Sequence, residues 1–227
     1  MTDSAATPAP APARRRIFLV DDHPLVREGL TKLINQEPDL CVCAEAEGAA
    51  QAYAGIERTR PDAVIVDLSL QGDSGLDLIK RVQDMPRPPA MLVLSMHDEA
   101  FYAERALRAG ALGYVMKRET SGKVLAALRE ILCGRLYVSP VIASQAAEKF
   151  LRNRVAAAGS PVDCLTDREL EVFRRIGQGH ENRGIAEDLH LSLKTVQTHC
   201  AHIKEKLGLR NGTVLMREAV RWVENQR

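Results

Sequence analysis

The chain has 227 residues, of which 45% are hydrophobic and 27% charged. This length allows two small domains or one large one, and the composition excludes disordered and collagen-like classes. The longest uninterrupted apolar runs, such as Ala90–Leu94, have five residues, far fewer than the roughly 20 that cross a bilayer.

The charge is unevenly distributed, although the whole chain carries only +1. Residues 16–136 hold 15 Lys and Arg against 18 Asp and Glu, a net charge of −3. Residues 137–227 hold 14 against 11, a net charge of +3. An acidic first half suits a metal or phosphoryl site, and a mildly basic second half suits a polyanionic partner.

Residues 1–15 are predicted to form a disordered tail, because three prolines alternate with alanines ahead of the basic run Arg14–Arg16. A secretory signal has the opposite order, with its basic region before its apolar region. We therefore expect a cytoplasmic protein with no membrane partner.

Residues 16–136 alternate short apolar runs with helical patterns, which predicts a (βα)5 unit whose parallel sheet is covered on both faces. The first predicted helix begins at Pro24 and has Val26, Leu30 and Leu33 at helical spacing. Further helices are expected near 48–59, 75–84, 98–109 and 120–133. The predicted strands are Ile17–Val20, Leu40–Ala44, Ala63–Val66, Met91–Leu94 and Tyr114–Met116.

Polar residues stand where four of these strands end: Asp21 and Asp22, Asp67, Ser95 and Lys117. Because ligands bind beyond the carboxyl ends of open parallel sheets, we expect these side chains to meet. Three converging carboxylates repel one another unless a hard cation such as Mg2+ lies among them. Lys117 adds a positive charge and Ser95 a hydroxyl, so the set predicts a carboxylate that carries a phosphoryl group.

The strand ends resemble the receiver domain of bacterial two-component response regulators. The motifs that carry this resemblance are Val20-Asp21-Asp22-His23-Pro24, Val66-Asp67-Leu68, Leu94-Ser95-Met96-His97 and Gly113-Tyr114-Val115-Met116-Lys117. The resemblance implies a flavodoxin-like fold for residues 16–136, with Asp67 accepting a phosphoryl group from a sensor histidine kinase. It also implies a switch pair, Ser95 and Tyr114, a lysine that pairs with the phosphoryl group, Lys117, and Mg2+ held by Asp21, Asp22, Asp67 and the backbone carbonyl of Ser69.

The strand patterns stop after Gly134. Residues 137–162 are predicted to be a linker with a helix at 139–153 and a flexible joint at 156–161. Residues 163–227 are predicted to hold four helices, near 166–177, 182–189, 193–207 and 213–225. Thr166 and Glu169 have the spacing of a capping box, and Ser192 is the expected N-cap of the third of these helices.

A short helix, a tight turn and a longer helix form a helix-turn-helix arrangement. The longer helix has an apolar stripe of Val196, Cys200, Ile203 and Leu207. Its other face carries groups that read base edges or hold phosphates. These candidate DNA-binding residues are Lys194, Thr195, Gln197, Thr198, Ala201, His202 and Lys204.

The helical half resembles the LuxR-type DNA-binding domain, in Leu165–Glu169, in Asn182–Leu189 and in Thr195–His199 followed by Ile203, Lys206 and Leu207. With the receiver, this points to the NarL/FixJ branch of response regulators and implies an all-α domain that binds double-stranded DNA as a homodimer. Gly184 replaces a glutamate usual in the family and is expected to loosen its helix. We expect the last helix to supply the dimer contact, through Val214, Leu215, Ala219, Val220, Trp222 and Val223.

The sequence therefore predicts a transcriptional regulator that binds DNA in response to phosphorylation and is not an enzyme. One alternative is a DNA-binding regulator whose receiver works without phosphate. Another is a flavodoxin-like phosphotransferase or hydrolase that uses Asp67 catalytically, which would leave the helical half without a role. The sequence does not specify the kinase, stimulus, operator, direction of regulation or oligomeric state of the free protein.

Overall fold

A computed structural model describes residues 14–70, 73–119, 121–144, 161–189 and 191–224. The chain divides into two compact units, Met1–Ser139 and Pro140–Arg227. Among the described helices, none has the length and apolar character needed to pass through a bilayer.

The first unit is a five-stranded parallel sheet with flanking helices, as predicted. Its strands are β1 (Arg15–Val20), β2 (Leu40–Ala46), β3 (Ala63–Val66), β6 (Ala90–Ser95) and β7 (Gly113–Met116). Their order in the sheet is β2-β1-β3-β6-β7, which puts β3 in the middle. Its helices are α1 (Pro24–Asn35), α2 (Ala49–Thr59), α3 (Gly75–Gln83), α4 (Glu99–Ala109) and α5 (Ser121–Leu132).

A small antiparallel ribbon lies between β3 and α3. It pairs β4 (Ser69–Leu70) with β5 (Asp73–Ser74). The sequence did not predict this ribbon, because two-residue strands are too short to show a period of two.

The two faces of the sheet are buried by different helices. One face packs against α1 and α5, in a core that includes Leu19, Ile65, Leu92 and Leu128. Because side chains alternate along a strand, Phe18 points to the opposite face. There its ring packs closely on Gly55 of α2, where an added Cβ would lie 2.7 Å from the ring. Such two-sided burial explains the continuous apolar runs in the sequence.

The apolar spacing noted in α1 follows the buried face of the helix only in part. The buried side chains are Arg27, Leu30 and Ile34, whereas Val26 and Leu33 are half-buried. Val26 still packs against the core. The buried face of α1 therefore combines apolar residues with Arg27, a charged residue that an apolar spacing does not include.

The second unit contains α6 (Asp167–Gly177), α7 (Asn182–Asp188), α8 (Leu193–Lys206) and α9 (Gly212–Glu224), preceded by a 3-10 turn at Pro161–Cys164. The four helices confirm the prediction. The Thr166–Glu169 capping box is present, and Ser192 accepts from the Thr195 amide as the N-cap of α8. Residues 140–144 are helical. Residues 145–153 of the predicted 139–153 helix and 156–160 of the joint at 156–161 lie outside the described residues.

Two glycines of the second unit have opposite surroundings. At Gly177, the last residue of α6, an added Cβ would collide with the backbone carbonyl of Ala219 in α9. At Gly184, within α7, an added Cβ would meet nothing within 4 Å. Close helix contact therefore requires glycine at the first position and not at the second.

We expect Gly177→Ala to destabilise the second unit by about 1–3 kcal/mol, as overpacking does. Gly184→Ala should stabilise it by about 0.5–1 kcal/mol, because interior glycine is costly in a helix. Urea unfolding followed by fluorescence of Trp222, the only tryptophan, would measure both. Equal effects of the two substitutions would contradict the observed packing of α6 on α9.

Candidate functional site

The carboxyl ends of β1 and β3 bring three aspartates together. The two strands pair Val20 with Val66, and the Asp67 amide donates to the Val20 carbonyl over 2.8 Å. This register places Asp67 beside Asp21 and Asp22. One ligand atom from each of these three residues and from His23 lies within 4.8 Å of the others.

Lys117 follows β7 and lies across the same edge of the sheet. Its Nζ is 2.6 Å from Oδ2 of Asp21 and 2.6 Å from Oδ2 of Asp67. The lysine side chain is only 8% exposed, so these contacts are little weakened by water. Burial alone would lower the pKa of Lys117, but the attraction of Asp67 and Asp21 raises it above its ordinary value. The ammonium group therefore stays charged.

Asp67 is buried at the centre of the site. Burial raises the pKa of its carboxyl to about 6, although the charge of Lys117 acts in the opposite direction. Oδ1 accepts a hydrogen bond from the Ser69 amide over 3.2 Å. At Gly75 an added Cβ would collide with the Asp67 carbonyl, so the start of α3 can lie directly against the acidic edge.

We expect the cation-free receiver to lose stability as the pH rises from about 4 to about 6. A carboxyl whose pKa is higher in the folded chain than the ordinary 3.8 binds its proton more tightly when folded, so acid favours folding. The difference between a pKa of 3.8 and one of about 6 corresponds to about 3 kcal/mol. Urea unfolding of the wild type and Asp67→Asn across this range would isolate the effect, because other titrating groups cancel in the difference.

The unfolding free energy of the wild type minus that of Asp67→Asn should fall by about 3 kcal/mol as the pH rises. Saturating Mg2+ should reduce this fall, because a cation favours the ionised carboxylate. A difference that stays constant from pH 4 to pH 7 would contradict the raised pKa of Asp67.

The donor set fits a hard divalent cation. Carboxylate oxygens from Asp21, Asp22 and Asp67 are the ligands that Mg2+ prefers. Among the described residues, no well-aligned hydrogen bond reaches the buried Oδ1 of Asp22, although Nδ1 of His23 lies 2.7 Å from it. Since one ligand atom of Asp22 lies within 4.8 Å of those of Asp21 and Asp67, a single cation could reach all three residues. Ser69 lies in β4, and a role for its carbonyl stays a prediction.

Ser95 and Tyr114 are both fully buried and are linked through the loop after β6. The Tyr114 hydroxyl donates to the His97 carbonyl over 2.9 Å, and the His97 amide donates to Oγ of Ser95 over 3.2 Å. The His97 ring stacks on Tyr102 and lies 2.7 Å from the Ser69 hydroxyl. The sequence had singled out Ser95 and Tyr114, and the structure adds the backbone of His97 between them.

In the second unit, α8 presents most of the candidate DNA-binding residues to solvent. Thr195 and Lys204 are half-buried. The Thr195 amide donates to the Ser192 hydroxyl over 3.0 Å, and its own hydroxyl lies 2.8 Å from the same oxygen, so this threonine also serves the N-cap. The exposed candidates are Lys194, Gln197, Thr198, Ala201 and His202.

A buried glutamate joins α8 to the start of α6. One oxygen of Glu169 accepts from the Thr166 amide over 2.8 Å and from Lys206 over 2.7 Å, and the other lies 3.7 Å from Nδ1 of His202. Burial alone would raise the pKa of Glu169, but the hydrogen bonds from Lys206 and Thr166 hold it below its ordinary value. Lys206 thus supports the fold of the domain, a role that the sequence did not indicate.

The predicted dimer surface of α9 is partly used inside the domain. Leu215 and Ala219 are buried in the core, and the ring of Trp222 lies 5.8 Å from that of Phe173. Val214, Val220 and Val223 are half-buried. Less apolar surface is therefore left for a partner than the sequence indicated.

Arg27 is the residue of the acidic edge that the sequence analysis missed. Its guanidinium donates to the backbone carbonyl of Asp21 over 2.7 Å and to Glu47 over 2.6 Å. The sequence did contain a signal for this role, since Arg27 lies on the same face of α1 as Leu30 and Ile34. A charged residue on a buried face requires a buried partner.

Two family models match the chain. The model described as "Response regulator receiver domain" matches residues 17–129, and the model described as "Bacterial regulatory proteins, luxR family" matches residues 163–219. The two matches fall on the two units separately.

Known relatives span nearly the whole chain. The oxygen regulatory protein NreC of Staphylococcus aureus is 34% identical over 210 residues, which cover 91% of this chain and 97% of NreC. The crystal structure of a LuxR-family two-component response regulator from Aurantimonas sp. SI85-9A1 is 39% identical, with a TM-score of 0.57, and covers 61% of this chain and 99% of that one.

A third similarity shows the fold alone. RcsB of Salmonella enterica serovar Typhimurium, in a structure bound to promoter rprA in the presence of the phosphomimetic BeF3−, is 24% identical with a TM-score of 0.57. The match covers 90% of this chain and 98% of that one.

Proposed function

Since the chain belongs to the two-component response regulators that join a receiver to a LuxR-type DNA-binding domain, we propose that Asp67 is its phospho-acceptor. This family consists of regulators of transcription controlled by phosphorylation rather than enzymes, which sets aside the phosphotransferase alternative. The observation that carries the proposal is the contact of Lys117 with both Asp21 and Asp67 at the end of the central strand.

In the proposed reaction, a carboxylate oxygen of Asp67 attacks the phosphorus of the phosphohistidine of a sensor kinase. A phosphorus–oxygen bond forms, and the bond from phosphorus to the imidazole nitrogen breaks. Lys117 neutralises charge on the phosphoryl oxygens, because its ammonium group already lies 2.6 Å from Asp67. The imidazole leaves with the electron pair of the broken bond.

We further propose that Mg2+ is held by Asp21, Asp22, Asp67 and the Ser69 carbonyl. When bound, the cation would offset the negative charge that gathers where a phosphoryl group meets three carboxylates. The support comes from the cluster of carboxylate oxygens and from the buried Oδ1 of Asp22.

We propose that the switch pair, Ser95 and Tyr114, couples the phosphoryl group on Asp67 to a conformational change in the rest of the receiver. Ser95 would donate its hydroxyl to a phosphoryl oxygen, which would disturb its contact with the His97 amide. Because Tyr114 holds the carbonyl of the same residue, a shift of this loop would change the position of the tyrosine ring. The result is a population shift between two receiver states.

We propose that residues 16–136 are the receiver, 137–162 the linker and 163–227 the DNA-binding domain, behind a tail at 1–15. The contact surface for double-stranded DNA would be the exposed side of α8, with Lys194, Thr195, Gln197, Thr198, Ala201, His202 and Lys204 as contact residues. A small domain with mild positive charge binds one half-site weakly, so a homodimer on paired half-sites is favoured. Because its DNA lies in the bacterial cytoplasm, we place the protein there.

The proposal is tested by DNA binding with and without phosphorylation. We expect a small phosphodonor with Mg2+ to raise the affinity of the full chain for DNA fragments selected from a random pool. Asp22→Ala should weaken Mg2+ binding and remove the increase, because a cation ligand is lost. If the wild type binds DNA equally well with and without the phosphodonor, the receiver works without phosphate and the alternative is correct.

A further inference from the structure

We propose that Arg27 is a positioning residue for the acidic edge of the receiver, fixing the peptide between Asp21 and Asp22 so that both carboxylates suit a divalent cation. This inference rests on the proposed function of that edge. It goes beyond it because Arg27 is neither a ligand nor the phospho-acceptor.

The contacts of Arg27 reach three different groups. One terminal nitrogen donates to the Asp21 carbonyl over 2.7 Å, and the other donates to Oε1 of Glu47 over 2.6 Å. Nε lies 3.4 Å from Oε2 of Glu45. The arginine side chain is only 11% exposed, so its position is set by these partners.

These contacts constrain Asp21 from behind. The Asp21 amide donates to the Ala46 carbonyl over 3.2 Å, while the Asp21 carbonyl is held by Arg27. Because a peptide unit is planar, fixing that carbonyl also fixes the amide of Asp22 and the position of its Cα. Arg27 therefore positions the backbone that carries the two consecutive carboxylates, without touching either carboxylate.

The guanidinium group suits this role better than an ammonium group would. It is planar and carries five donors in a fixed arrangement, so one side chain bonds to a carbonyl and a carboxylate at once. Glu45 lies in β2 and Glu47 directly follows this strand, which pairs with β1 in the sheet. Both glutamates contact the arginine and anchor it. A lysine at position 27 could keep the charge but not this geometry.

Arg129 provides a matched control in the same unit. Its guanidinium also bonds to two acidic residues, Glu37 and Asp39, on the loop between α1 and β2. It has no recorded contact with Asp21, Asp22 or Asp67 among the described residues. Removing Arg129 tests the loss of an arginine with two acidic partners without disturbing the acidic edge.

The test uses the full chain with Mg2+ alone as the probe, in isothermal titration calorimetry. We expect Arg27→Met to raise the Mg2+ Kd by about tenfold, as loss of an outer partner of a metal ligand does. Arg27→Lys should give an intermediate value, and Arg129→Met should leave the Kd within about twofold of wild type. An equal loss of Mg2+ affinity in Arg27→Met and Arg129→Met would overturn the inference. An unchanged Mg2+ Kd in Arg27→Met would do the same.

Phosphorylation kinetics separate positioning from a general structural role. In Arg27→Met the Mg2+ concentration for half-maximal labelling by a small phosphodonor should rise by about tenfold, whereas the rate at saturating Mg2+ should stay within about threefold of wild type. An equal fall in the labelling rate at all Mg2+ concentrations would indicate a folding defect and reject the role.

A second variant decides the question if Arg27→Met does not fold. Glu47→Gln keeps Arg27 in place but weakens its anchor, so the Mg2+ Kd should rise by about two- to fivefold. An unchanged Kd in Glu47→Gln would then reject the inference. Wild-type protein in the same experiments separates the two proposals: a wild type that binds no Mg2+ contradicts the proposed function, whereas normal wild-type binding with unaltered variants contradicts only the role of Arg27.

Discussion

Replacement of Asp67 by asparagine is expected to abolish phosphorylation of the protein. The amide is nearly the same size as the carboxylate and retains one oxygen that can accept from Lys117. It is neutral and a poor nucleophile, so the phosphorus–oxygen bond cannot form at this position. Intact-mass spectrometry after incubation with a small phosphodonor and Mg2+ should show one added phosphoryl group in the wild type and none in Asp67→Asn.

Asp62 offers a matched control at the other end of the same strand. It precedes β3, and its carboxylate accepts from the Arg15 side chain over 2.9 Å and from the Arg16 amide over 2.7 Å. Asp62→Asn should therefore be phosphorylated as fully as the wild type. If Asp67→Asn is phosphorylated as fully as the wild type, or if Asp62→Asn is not phosphorylated, the acceptor is not Asp67.

The carboxyl edge of the sheet could be predicted because its residues follow the strands directly. A continuous apolar run marks each strand, and the polar residue at its end marks the edge where ligands bind in parallel sheets. Asp21, Asp67 and Lys117 each follow such a run, and the structure brings all three together. The sequence pattern was therefore sufficient to identify these three residues of the site.

The supporting contacts could not be predicted in the same way. Arg27 bonds to Glu47 across 20 positions and Lys206 bonds to Glu169 across 37, and periodicity relates only residues on one element. The loop contact between His97 and Ser69 spans 28 positions and depends on the β4–β5 ribbon, which shows no sequence pattern. Pairing of distant polar groups follows from the packed fold and not from local spacing.

The second large effect is expected on DNA binding through α8. Gln197 is exposed on this helix, and its amide can both donate to and accept from a base edge. Gln197→Ala should reduce discrimination at one base-pair position by about 1–3 kcal/mol, or roughly 5- to 150-fold. Binding of the phosphorylated protein to fragments that differ at single positions would measure this. Uniform weakening across all fragments would instead indicate a phosphate contact.

Lys204 and Lys206 form a matched pair for the electrostatic part of DNA binding. Lys206 bonds to the buried Glu169, so Lys206→Met should lower the stability of the domain, and any loss of DNA binding should follow from unfolding. Lys204→Met should weaken binding to all sequences and reduce the slope of log affinity against log salt by about one, as expected for one lost phosphate contact. The measurement is DNA affinity at several salt concentrations, with urea unfolding of each variant as the control. A salt slope that changes in Lys206→Met but not in Lys204→Met would place the DNA on the other side of α8, because Lys206 would then make the phosphate contact.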